Sequence, residues 1–241
     1  MWPLFRVAAL FSIVPVLGGG DVPVQVRVGL ALLVTLLIVP TLNNIPAVDP
    51  LSFSGMLITV QQIAIGVAMG LMILLVFNAV SLAGENIAIT MGLGFALIND
   101  PQNGIQVPTV SHFYVVFATL LFLALDGHYA VINLVSTSFI LIPVGEGLGA
   151  ASIWHLLNWA AIIFKGALAI ALPALAAMLA VNMVMGVITR SAPQMNLFSI
   201  GFPITMTVGF FAIQLTLPTV KHEFEIMLND AIASILTLLA M

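Results

Sequence analysis

The sequence predicts an all-α, membrane-associated protein built from helical hairpins with broken helices, and three observations carry that expectation. Of its 241 residues, 62% are hydrophobic and 6% charged, where a soluble domain carries roughly a quarter charged residues; the mean hydropathy is +1.24. Charge-free runs at Val28–Val48, Leu51–Gly84, Gln102–Leu125, Gly166–Thr189 and Ser191–Val220 match or exceed the roughly 20 residues that cross a hydrocarbon core. Several of these runs contain proline, so run length overstates helix length.

Leu4–Leu17 and Val28–Val39 read as short apolar helices around the turn Gly18–Pro23, neither long enough to span comfortably. Arg6 interrupts the opening run and no Ala-x-Ala site closes it, so the start is not read as a cleaved signal peptide. Pro40, Pro46 and Pro50 make TLNNIPAVDP an extended loop, because proline lacks a donor and restrains its predecessor. A long helix follows from Met56 to at least Ala83, with Gly66 and Gly70 at the spacing that lets two helix backbones approach closely.

Beyond it, Phe113–Leu125 and Tyr129–Val144 flank Asp126-Gly127-His128 and read as a tight helical hairpin. Gly145, Gly147 and Gly149 form a joint, with Ser152 expected to cap the next helix. Trp154–Ile188, the polar turn Thr189–Asn196 and Leu197–Thr216 make a second hairpin. The tail places Phe224, Met227, Leu228, Ala231, Ile232, Ile235, Leu236 and Leu239 opposite Glu223, Asn229, Asp230 and Ser234, the pattern of an amphipathic helix. Two parts are expected, 1–150 and 151–241.

The net charge of −4 leaves no basic surface for nucleic acid. The absence of cysteine excludes disulfides and thiolate metal sites. His112, His128, His155 and His222 show no i,i+4 pair, and no metalloprotease, nucleotide-binding or hydrolase motif occurs. No catalytic residue, cofactor or metal is expected. An intramembrane aspartyl site could use Asp100 and Asp126, but both sit in turn contexts where acids close loops.

The most informative stretch is Glu85–Pro108, ENIAITMGLGFALINDPQNGIQVP. Irregular backbone with glycines, a proline and amides survives at membrane depth only inside protein or along a watery path, so this segment is expected to be a loop that meets whatever the protein handles. Glu85 has two readings, an intramembrane functional acid or a structural contact to Arg190 or backbone. Met91 is read as a flexible seal, with Phe95 and Ile98 as either plug or packing residues. The rival to a conduit is a small secondary transporter using Glu85 and the broken segment.

Leu4-Phe5-Arg6-Val7, Val22-Pro23 with Arg27-Val28-Gly29-Leu30-Ala31, Gln61-Gln62-Ile63 before Gly66, Gly84-Glu85 with Met91-Gly92, Asp100-Pro101, Gly127-His128, and Arg190-Ser191-Ala192-Pro193-Gln194 leading to Gly201-Phe202-Pro203 together resemble the FliR family of flagellar type III export-gate subunits along essentially the whole chain. The resemblance implies a non-enzymatic subunit that joins FliP-like and FliQ-like subunits in a helical hetero-oligomer, with FlhB and FlhA as further partners and unfolded flagellar proteins as cargo. It also implies a site in the bacterial inner membrane within the flagellar basal body, with the core raised toward the periplasm and in contact with lipid. The first part would be FliP-like and the second FliQ-like. The family's plug loop matches Phe95–Pro108, so Phe95, Ile98, Asp100, Pro101 and Asn103, with Val107 and Pro108 at its end, inherit the plug role. Gln194, Met195 and Asn196 resemble the tip of the FliQ hairpin. Family members usually carry an amphipathic stretch ahead of the element at which this chain begins.

Overall fold

A computed structural model describes residues 1–19, 22–42, 46–93, 109–191 and 197–241, with side chains from 201 onward in the last range. Among the described residues there is no strand, only an isolated bridge between Val144 and Glu146. The helices are α1 (Trp2–Ile13), α2 (Val24–Ile38), α3 (Phe53–Thr90), α4 (Thr109–Ala124), α5 (Gly127–Leu141), α6 (Ala150–Trp159), α7 (Ile162–Ser191) and α8 (Leu197–Ala240). Single turns follow α1 at Pro15–Gly18 and α2 at Val39–Thr41. Val24–Thr41, α3, Ala150–Ser191 and Gly201–Ala240 are each long and apolar enough to cross a membrane, and the bent pair α4 and α5 is a fifth candidate.

Several boundaries differ from the sequence expectation. The residues from Glu85 to Thr90 continue α3 instead of opening a loop, because Ile87 and Ala88 extend its buried face beyond Ala83. The chain turns by 67° between α4 and α5 and does not fold back as a hairpin. Asp126 adopts the left-handed conformation there, φ 56°, which aspartate tolerates better than most side chains. Ser152 lies buried inside α6, whose N-cap is Gly149. The amphipathic tail is the end of α8, a single helix of 44 residues through Pro203 and Pro218.

The described residues form two compact units. One comprises Met1–Phe77, Phe122–Ala161 and Met227–Met241. Within it α1 runs parallel to α3: the Trp2 indole donates to the carbonyl of Gly55 at 3.3 Å, and a Cβ on Gly66 or Gly70 would meet α1 at Ala9 or Ile13, each at 2.9 Å. This is the close approach that the glycine spacing predicts. Phe77 meets Phe122 edge-on at 5.7 Å. His155 Nε2 lies 2.7 Å from Ser234 Oγ, and the Trp159 indole donates to the carbonyl of Met72 at 3.3 Å. Phe224, Met227, Leu228, Ala231, Ile235 and Leu239 are buried, whereas Ile232 is half-buried and Leu236 exposed, so most of the predicted apolar face of the tail packs inside the protein.

The other unit comprises Asn78–Leu121 and Ile162–Ile226. Along α7, Gly166, Ala167, Ile170, Ala171, Ala174 and Met178 form its buried stripe, at the three- and four-residue intervals of one helix face. The opposite face, with Phe164, Leu168, Leu172, Leu179 and Val187, is exposed and apolar.

Candidate functional site

The chain leaves the described structure at Leu93 and re-enters it at Thr109, so the fixed points of the expected plug segment are the end of α3 and the start of α4. The α3 end is set by local sequence. Gly92 takes φ +85°, which costs glycine little. The Leu93 amide then donates to the carbonyl of Ala88 at 3.1 Å and the Gly92 amide to that of Ile89 at 3.0 Å. These are the two bonds of a Schellman stop, which satisfies carbonyls that a helix end leaves open.

α8 fastens this stop. Met91 is fully buried, and a Cβ on Gly209 would collide with Met91 Cγ and lie 2.6 Å from Cε. Only a residue without a side chain leaves room for Met91 there. The Thr205 hydroxyl hydrogen is shared between the carbonyls of Phe202 at 3.0 Å and Met91 at 3.3 Å.

The start of α4 is held against the same α3, roughly 13 Å before its end by helix rise. Ser111 Oγ donates to the carbonyl of Ser81 at 3.0 Å and accepts from Ser81 Oγ at 2.8 Å. A Cβ on Gly84 would stand 2.7 Å from the Cα of Ser111 and 3.2 Å from the carbonyl oxygen of Val110, so these backbones touch. One turn on, the buried Tyr114 hydroxyl donates to Thr216 Oγ1 at 2.8 Å, whose own hydrogen goes to the carbonyl of Ile213 at 2.9 Å. Removing that hydroxyl with Tyr114→Phe leaves Thr216 bonded to Ile213, so the expected cost is about 1 kcal/mol. A thermal-unfolding series on detergent-purified protein reads it; a loss several times larger would mean that Tyr114 carries more than this bond.

Beside the α3 end opens a cavity of about 420 Å3, bounded by Gly92, by Asn182, Gly186 and Thr189 of α7, and by Phe202 and Thr205 of α8. Its lining is mainly apolar. Among the described residues no three His, Asp or Glu side chains come together as metal ligands do.

The expected site residues fall into three groups. Met91 is fully buried within its own chain, packed at the α3 end where Gly209 leaves room for it. Glu85 and Arg190 are exposed on helices, so neither sits in a buried ion pair. Phe95, Ile98, Asp100, Pro101, Asn103, Val107, Pro108, Gln194, Met195 and Asn196 lie outside the described residues. Sequence reasoning missed Gly84, Ser81, Ser111, Thr205 and Gly209. Serines, threonines and glycines in apolar helices were the available signal, because small residues and hydroxyls concentrate where membrane helices touch.

The family described as bacterial export proteins, family 1, matches residues 1–231. The chain is 37% identical over 235 residues to the flagellar biosynthetic protein FliR of Escherichia coli (strain K12), covering 95% of this chain and 89% of that protein. It is 38% identical over 245 residues to the FliR of Pectobacterium carotovorum subsp. carotovorum, covering 99% and 93%. With the FliR of Aquifex aeolicus (strain VF5) it shares 29% identity, covering 92% and 87%. By the extent of the family match and by near full-length identity above 30%, the chain belongs to the FliR family of bacterial export proteins.

Proposed function

We propose that this chain is a membrane component of the flagellar protein-export apparatus and that, with FliP-like and FliQ-like subunits, it forms a gated conduit for unfolded flagellar proteins. The family and the names of its relatives support the export role; the helices long and apolar enough to cross a membrane support the location. In this reading the protein performs no chemistry of its own. Residues 95–108 act as the plug, 1–150 form the FliP-like part and 151–241 the FliQ-like part, and FlhB and FlhA are further partners.

One observation carries the gating reading. Both ends of the segment 94–108 are fastened within one compact unit, through Met91 on Gly209 and through Ser111 on Ser81 and Gly84. A gate needs an element that changes state on a frame that does not. Helix length supports a core raised out of the bilayer: α3 and α8 hold 38 and 44 residues, about 57 and 66 Å, against a hydrocarbon core of about 30 Å.

Deletion of residues 95–108 tests the plug. Cells carrying the deletion are expected to admit small ions or sugars faster than the parent strain, with the assembly verified by co-purification. Unchanged permeability in an intact assembly removes the plug from the proposal.

A further inference from the structure

Four residues, Gln62, Ser138, Phe139 and Ile142, converge on one buried cation. Arg6 is fully buried. Its Nε donates to Gln62 Oε1 at 2.8 Å, Nη1 to the carbonyl and hydroxyl of Ser138 at 2.8 and 3.1 Å, and Nη2 to the carbonyl of Ile142 at 2.9 Å. The guanidinium also lies 4.1 Å from the ring centre of Phe139. Burial pushes the group down to about 9, which leaves it protonated at neutral pH. None of these contacts is an acid, so the charge is met by carbonyl dipoles at a helix C-terminus and by a ring face, both of which attract cations.

The acceptors give the arrangement its meaning. Ser138 is in the last turn of α5, and Ile142 is its C-cap, where the chain enters the joint that leads to α6. That joint bends sharply, with Gly145 at φ +109° and the Glu146 amide donating to the carbonyl of Pro143 at 3.1 Å. At its far end Gly147 rests on Gln61, whose Nε2 would stand 3.1 Å from a Cβ there. Gln61 thus lies under one part of the joint directly, while Gln62 reaches its Ile142 end through Arg6, the cation that α1 supplies. Gly66 permits it, since a Cβ at that position would lie within 2.9 Å of Ala9 and closer still to the Arg6 carbonyl.

Apolar residues of similar volume often hold a core as well as, or better than, a buried charge. Gln62 Nε2 and Gln61 Oε1 moreover find no hydrogen-bond partner among the described residues, and leaving buried polar atoms unpaired is costly. An arrangement that stabilises so inefficiently is better suited to fixing one geometry. Arginine's rigid fork can reach acceptors on α3, α5 and the joint together, which the point charge of lysine cannot.

We propose that Arg6 is the closing element of a latch through which α1 holds the joint 142–149 in its bent form. The latch is independent of the plug, since none of its contacts involves residues 94–108.

The test is hydrogen–deuterium exchange, read by mass spectrometry, on the full chain purified with the subunits that accompany it. Arg6→Met combined with Gln62→Leu removes the charge and its amide partner while keeping the volume. Amides of 142–149 are expected to exchange at least about tenfold faster, with those of 72–80 in the centre of α3 unchanged. Arg6→Lys is expected to give the same local rise. Gly66→Ala leaves the guanidinium and its acceptors intact but moves α1, and it too is expected to speed exchange at 142–149, which keeps the test decisive if the double variant does not accumulate. Protection of the joint equal to that of the parent chain, in either the lysine or the Gly66 variant, overturns the latch.

Discussion

Gly84→Val is expected to lower the amount of folded chain, while Gly186→Ala, also in an apolar helix, does not. The two glycines differ in what a side chain would meet. At Gly186 nothing lies within 4 Å of the new Cβ, so the substitution gains the roughly 1 kcal/mol by which alanine exceeds glycine in helix propensity. At Gly84 the new atom meets Ser111 Cα at 2.7 Å, its amide nitrogen at 3.1 Å and the Val110 carbonyl oxygen at 3.2 Å. All three are backbone, and none can rotate aside. α4 has to retreat, which stretches the two hydrogen bonds between Ser81 and Ser111. Overpacking costs about 1–3 kcal/mol and each lost bond about 1, a total of roughly 3–5 kcal/mol against a typical stability of about 5–15. Immunoblots of the membrane fraction and thermal aggregation after detergent extraction measure the effect. Equal levels and equal aggregation temperatures for the two variants would show that α3 and α4 are not in backbone contact at this point.

That contact illustrates what the sequence discloses and what it conceals. Composition and charge-free runs are enough to predict an all-α membrane protein, because covering so much apolar surface with 6% charged residues leaves few alternatives. The Gly66 and Gly70 pair announces a close helix approach, and α1 fills it. The face of the tail is legible from Phe224 to Leu239, because helical periodicity survives whatever it packs against.

Helix ends are less legible. Gly201, Pro203 and Gly209 read as interruptions, yet α8 passes through all three, since neighbouring helices can re-satisfy the backbone groups that proline frees. Glu85 reads as the onset of irregular chain and is an exposed helical residue, as one charge on an open face does not stop a helix whose other face is buried. Arg6 is the least legible of all. Its acceptors at Ser138 and Ile142 are 132 and 136 residues away, and no local pattern reports a partner at that distance. The candidate site divides along the same line: the expected plug and tip residues lie outside the described structure, while Ser81, Gly84, Ser111, Thr205 and Gly209, which pack the end of α3 and the start of α4, are small residues that motif reasoning passes over.

Enlarging Gly209 and shrinking Met91 are expected to damage the protein separately and to repair one another together. Met91→Ala removes a fully buried side chain, and such truncations cost about 2–5 kcal/mol through lost burial and the cavity left behind. Gly209→Ala places a methyl against Met91 Cγ, 2.6 Å from Cε and 2.8 Å from Sδ. Methionine is flexible, so the expected cost is smaller than at Gly84, about 1–3 kcal/mol, with Met91 pushed from its notch. In the double variant the new methyl occupies part of the space Met91 vacates. The combined loss should fall short of the sum by about 1–2 kcal/mol, well outside the additivity of distant sites. The same pair connects packing to permeability. If the plug is held at its α3 root, Gly209→Ala is expected to raise small-ion leak in the direction of the 95–108 deletion, and the double variant to lower it again. A leak in the deletion alone, with Gly209→Ala as tight as the parent chain in a verified assembly, would keep the plug and discard the Met91 peg as its control point. Additive stability losses in the double variant would discard the peg altogether, because two groups that do not touch have no means of compensating one another.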